Sequence, residues 1–149
     1  MKFIVFLCVL IAVPLTTAAQ MTPQNTEKVP LVRFGKGTAA IMVEDHLMKL
    51  FPEHSDSAPS HTVGLMDLNG DQTPEIFVRI DHEYKFCNED NWCDSRIFVY
   101  QGTGLIEIAQ FESGGEIRVS NETTNNIRNV LVGRKDGRYD LYIWSGLGY

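Results

Sequence analysis

The 149-residue chain is predicted to be an α+β protein, an antiparallel β meander with one N-terminal helix packed on a face. Three observations predict it. One stretch, Ala39 to Phe51, repeats its apolar residues at helical spacing. Beyond residue 60 the chain breaks into short runs rich in β-branched and aromatic residues, separated by glycine-containing turns. Within those runs Ile97 and Val99, then Ile106 and Ile108, alternate with polar neighbours, as expected when one sheet face is buried.

At the start of the chain, Met1-Lys2 precedes the apolar run Phe3 to Pro14 and the small residues Thr16-Thr17-Ala18-Ala19. This is the three-part pattern of a secretory signal peptide, with cleavage expected after Ala19. Cys8 falls inside the apolar run behind Leu7, where a lipidated cysteine would follow a small residue, so it is read as part of the discarded leader. No later stretch approaches the roughly 20 apolar residues of a spanning helix, and no membrane span is expected. The expected organisation is a signal peptide at 1–19, a flexible N-terminus at 20–30 carrying Pro23 and Pro30, and a single domain at 31–149.

Thr38 is the expected N-cap of a helix from Ala39 to Phe51, with Ala40, Val43, Leu47, Leu50 and Phe51 on its apolar face and Pro52 ending it. A polar loop follows from Glu53 to Ser60. Strands are predicted near 62–67, 75–82, 96–101, 105–111, 116–120, 127–133 and 139–144, with breakers at Gly102-Thr103-Gly104, Gly114-Gly115 and Asp136-Gly137. Asn121-Glu122-Thr123 fits the glycosylation pattern but is read as a polar turn in a bacterial-type exported chain.

The net charge is −6, and loss of Lys2 with the leader makes the expected mature chain more acidic still. No basic patch with interleaved aromatics is present, which argues against a nucleic-acid partner. Two of the three cysteines, Cys87 and Cys93, remain after the leader. Paired in an oxidising compartment, they would close a short ring contributing roughly 2 kcal/mol, enough to shape one loop. The expected location is periplasmic or secreted.

The run Asp67-Leu68-Asn69-Gly70-Asp71-Gln72-Thr73-Pro74-Glu75 places oxygen-bearing side chains at alternate positions of a tight turn. Hard cations such as Ca²⁺ take six to eight oxygens, and Gly70 lets the backbone bend between donors. Asp67-Leu68-Asn69-Gly70-Asp71 followed by Pro74-Glu75-Ile76 resembles the calcium loop of FG-GAP and VCBS repeat proteins. The resemblance implies Asp67, Asn69, Asp71 and Glu75 as ligands of a Ca²⁺ ion. It covers about a tenth of the chain and departs at Gln72, where that family usually has glycine, so a positive φ there would have to be borne by a side chain. An EF-hand is disfavoured because Val78 stands where its bidentate Glu belongs. The alternative is a polar β-turn closed by Asx hydrogen bonds. A partial echo, Asp136 to Ile143, lacks the first ligands and is read as a second hairpin turn.

The Cys87-Asn88-Glu89-Asp90-Asn91-Trp92-Cys93 loop is polar and acidic with one large aromatic. Ring closure pre-organises it, and Trp is enriched where interfaces concentrate their energy, so Glu89, Asp90 and Trp92 are the candidate partner-binding residues. With the following strand it is loosely similar to the inhibitory loop of periplasmic lysozyme inhibitors, although it is a residue longer and lacks that family's histidine. The alternative is a stabilised hairpin with Trp92 folded back on the sheet.

No catalytic residues are expected. No serine sits in a nucleophile elbow, and His46, His54 and His61 lack a metal-site spacing and are read as solvated. Asp81 and Glu83 share one side of a strand and are read as a solvated face. The expected function is an exported, non-catalytic binding protein with a Ca²⁺ loop, acting as an inhibitor or immunity-type protein against a cell-envelope hydrolase. The alternatives are an FG-GAP-like structural or adhesion module and an unrecognised hydrolase.

Overall fold

The computed structural model describes residues 29–54, 57–81, 86–102 and 104–148. The expected leader at 1–19 and most of the 20–30 segment lie outside these residues, as does Glu83. Among the described residues there is one α-helix, α1 (Thr38–Leu50), a 3₁₀ turn at Pro52–His54, and seven strands. These are β1 (His61–Met66), β2 (Glu75–Ile80), β3 (Cys93–Gln101), β4 (Gly104–Ser113), β5 (Ile117–Thr124), β6 (Ile127–Gly133) and β7 (Tyr139–Tyr142). All strand pairs are antiparallel.

The strands form two sheets, where the sequence had predicted one meander: β1-β2-β3-β4 and β5-β6-β7. Gly114-Gly115 marks the change of sheet, with Gly115 at φ 97°, a conformation that L side chains avoid. Val32, Leu68, Phe77, Ile97, Ala109 and Phe111 form one buried cluster with Ile117, Val119, Val130 and Val132 of the second sheet. A second cluster gathers Val63, Ile76, Val78, Ile80 and Phe98 with Val43 and Leu47 of α1 and Phe51 and Phe86. β2 therefore serves both clusters: Phe77 belongs to one, and its neighbours Ile76 and Val78 to the other. Period-two alternation along a central strand makes this possible, since successive side chains leave opposite faces.

Several boundaries moved for local reasons. Gly37, extended at φ −142°, is the N-cap of α1, and no side chain caps the helix, so Thr38 is its first residue. β3 begins three residues early because Cys93 and Ser95 pair with β4, and the buried Ser95 Oγ meets Ser113 Oγ at 2.7 Å. β5 runs on to Thr124, carrying Asn121-Glu122-Thr123 on a strand with a register irregularity in place of the expected turn. Its hairpin is made by Asn125 and Asn126, both at positive φ (54° and 66°), the backbone of a type I′ turn that asparagine tolerates. Asp81 lies just beyond β2, buried and ion-paired with Arg79, so it is not part of a solvated strand face.

Backbone pairing is already present before Leu31. Pro30 O accepts from Val119 N at 2.9 Å and Val29 O from the Arg118 guanidinium at 3.0 Å. This segment covers the free edge of β5, an arrangement that keeps an exposed strand edge from recruiting other chains.

Candidate functional site

Two loops were singled out by the sequence, and each is built from backbone amides turned onto side-chain oxygens. In the first, Asp67 Oδ1 accepts from Asn69 N (3.2 Å) and Gly70 N (2.6 Å), and Oδ2 from Gln72 N (3.0 Å). Asn69 Oδ1 accepts from Asp71 N at 2.9 Å, and Asp71 Oδ1 from Thr73 N at 2.7 Å. Asn69 Nδ2 also donates to Asp71 Oδ2 at 2.9 Å. Glu75 is buried at the base, with Oε2 accepting from Leu68 N at 2.5 Å. Gln72 bears the positive φ itself, at 71°.

Electrostatically the two ends of this loop differ. Desolvation would raise the Asp67 carboxyl, but the N–H groups of Gly70, Gln72 and Asn69, helped by Arg128, hold it below the usual carboxylate value. Burial pushes Glu75 up, outweighing its bond from Leu68 N, and the charges of Asp67 and Asp71 add to the rise. The four predicted ligands thus lie along one turn and the start of β2, and the side-chain oxygens of Asp67, Asn69 and Asp71 and one oxygen of Glu75 each accept from an amide N–H. Among the described residues, no three His, Cys, Asp or Glu side chains converge into a metal-sized cluster.

The second loop is closed by the Cys87–Cys93 disulfide. Inside the ring Asn88 is the organiser: its Oδ1 accepts from Asp90 N (3.1 Å) and Trp92 N (3.0 Å), while its N–H donates to Trp92 O (2.8 Å). Asn91 N returns a bond to Asn88 O at 2.9 Å, and Asn91 takes φ 61°. From below, Arg79 of β2 reaches up, its Nη2 lying 3.2 Å from Asn91 O and 3.1 Å from Cys93 Sγ. Glu89 and Asp90 are exposed at the tip, and Asp90 is ion-paired with Lys135 of the β6–β7 turn.

Trp92 does not protrude as an interaction tip would. It is half-buried, and a Cβ added at Gly114 would lie 3.7 Å from its Cε2. The ring forms a wall of a cleft of about 430 Å³ lined also by Asn88, Glu112, Arg134, Lys135, Asp136, Asp140 and Tyr142. Sequence reasoning missed the contribution of β4, the β6–β7 turn and β7, because nothing along the chain says that Glu112 and Tyr142 come to lie beside residue 92. The turn from Arg134 to Arg138 is a hairpin turn, closed by Arg134 N to Arg138 O at 2.7 Å with Gly137 at φ 76°.

His46 and His61 are less solvated than the sequence suggested. His61 joins Pro59 O (2.8 Å) through Nδ1 and Ala40 O (3.1 Å) through Nε2, pinning the start of β1 to α1. His46 meets Phe98 edge to face at 5.0 Å, and burial lowers its pKa. These contacts give both rings structural partners.

No protein-family model, curated protein or solved structure matches the chain. Any functional reading therefore rests on the chain's own residues.

Proposed function

We propose that this chain is an exported, non-catalytic binding protein that meets a protein of the cell envelope through the tip of the Cys87–Cys93 loop. Its use would be that of an inhibitor or immunity-type protein against a hydrolase. The observation that carries the reading is a loop held by a disulfide, by Asn88 and by Arg79, which leaves Glu89 and Asp90 exposed at its apex. Such a loop loses little conformational entropy on binding, and the exposed Glu89 carboxylate, beside an Asp90 shared with Lys135, favours a basic partner surface. Trp92 supports the loop from its inner side. We read α1 as laid across the four-stranded sheet through Val43 and Leu47, which would make the platform under the loop rigid.

A Ca²⁺ ion at Asp67, Asn69, Asp71 and Glu75 belongs to the same proposal. Its support is the donor chemistry, hard oxygens crowded on a turn around Gly70. Its rival is the same turn closed by its own amides. Thermal unfolding with Ca²⁺ and with chelator decides between them: a bound ion raises Tm by mass action in the wild type and not in Asp67→Ala. The same Tm with Ca²⁺ and with chelator removes the ion.

The partner reading is tested with a basic, wall-degrading muramidase and with pull-down from periplasm. The wild type should slow lysis and retain the hydrolase, the Glu89→Gln/Asp90→Asn double variant should lose both effects, and Trp92→Ala should weaken them. Wild type and double variant recovering the same proteins in the same amounts would remove the loop tip from the reading.

A further inference from the structure

We propose that the cleft behind the disulfide loop is a saccharide subsite that prefers amino sugars. Its volume, about 430 Å³, falls within the few hundred Å³ usual for small-molecule sites. Two aromatic side chains, Trp92 and Tyr142, line it, and each is braced from outside the cleft. Gly114 backs the indole, and the Phe111 ring lies 5.0 Å from that of Tyr142. Sugar rings present C–H faces that pack on aromatic rings and hydroxyl edges that need hydrogen-bonding groups beside them. The cleft supplies both, since Asn88, Glu112 and Asp140 lie alongside the two rings.

Charge selects the class of sugar. Arg134 is paired with Asp140 at 2.9 Å and with Asp136 at 3.7 Å, and Lys135 is paired with Asp90. The cations of the cleft are therefore already engaged by carboxylates. Glu112 has no such partner among the described residues. Asp94, opposite it in the β3–β4 register, is committed to Arg96 at 2.8 Å. A ligand ammonium placed against Glu112 gains an ion pair, whereas a uronic acid meets a like charge. The cleft lies on the inner side of the loop, away from the Glu89 apex, so this inference stands without the partner reading above.

The test uses the full exported chain and calorimetric titration with three trisaccharides: glucosamine, its N-acetylated form and galacturonic acid. Cyclohexylamine serves as an amine without sugar hydroxyls. The glucosamine trisaccharide should bind saturably and most tightly. Glu112→Gln should weaken it roughly threefold to fivefold and leave the N-acetylated form unchanged. Trp92→Ala should cost about tenfold, and Trp92→Phe should restore most of the loss. Each variant's unfolding curve confirms that it is folded. The proposal is overturned if none of the saccharides binds, if cyclohexylamine binds as tightly as the trisaccharide, if the uronic acid is preferred, or if folded Glu112→Gln and Trp92→Ala variants titrate like the wild type.

Discussion

Arg79 Nη2 stands 3.1 Å from Cys93 Sγ, so a β2 side chain is attached to the disulfide that closes a loop 14 residues away in sequence. The same guanidinium pairs with Asp81 and donates to Asn91 O, and the side chains of Arg79 and Asp81 are 13% and 6% exposed. Replacing Arg79 by Met leaves a buried carboxylate without its cation. A loss of about 3 kcal/mol is expected, largely restored in the Arg79→Met/Asp81→Leu double variant. Urea denaturation measures both, and a single variant within about 0.5 kcal/mol of wild type would show that the pair carries no such role.

Leu47 is fully buried in the cluster that contains Ile76, Val78 and Phe98, whereas Ile41 on the same helix is 69% exposed. Leu47→Ala should cost about 3 kcal/mol and Ile41→Ala less than about 0.5 kcal/mol. Similar losses at the two positions would contradict a helix docked by one face.

Gly64 lies where the segment entering the domain crosses β1. A Cβ there would sit 2.4 Å from Val32 Cγ1 and 3.1 Å from the Arg33 carbonyl oxygen. Val32 is itself in the core and has little room to give. Gly64→Ala should destabilise by about 2 kcal/mol, as overpacking does, and Gly35→Ala, with open space around its Cβ, by less. Equal Tm values for the two variants would refute the crowding.

Glu116 accepts a hydrogen bond from the Tyr139 hydroxyl, which lowers its pKa more than desolvation raises it, with Arg118 helping. A carboxyl whose folded pKa is depressed adds stability above its unfolded value, 4.5, and that stability fades as pH falls through the folded value. In Tyr139→Phe the NMR-detected titration of Glu116 should move upward. The variant should then lose less stability between neutral and acid pH than the wild type does. An unmoved titration would remove the hydroxyl as the cause.

Strand positions were legible where local pattern and turn chemistry agree. Ile76-Phe77-Val78, bounded by Pro74 and the acidic turn, was readable because a run of β-branched and aromatic residues has few other uses. The Asp67 turn was readable because Asx side chains close on their own backbone within five residues. The Asn125-Asn126 turn carries a usable sequence signal, two adjacent residues tolerant of positive φ, and it places the end of β5 later than hydrophobic alternation alone does. The cleft was not legible at all, since Trp92, Glu112 and Tyr142 come from three separate strands or loops and each has an ordinary local context.

By itself the sequence determined the alternation that makes β2 apolar on both faces, the spacing that puts Val43 and Leu47 on one side of a helix, and the short ring between Cys87 and Cys93. All three depend on bonding and periodicity within a few residues. Only the tertiary structure decided that the strands divide at Gly114-Gly115 into two sheets, that Arg79 reaches the disulfide, and that Trp92 and Tyr142 line one cleft. Those outcomes depend on which apolar faces meet across the core, a long-range free energy that no short window of sequence contains.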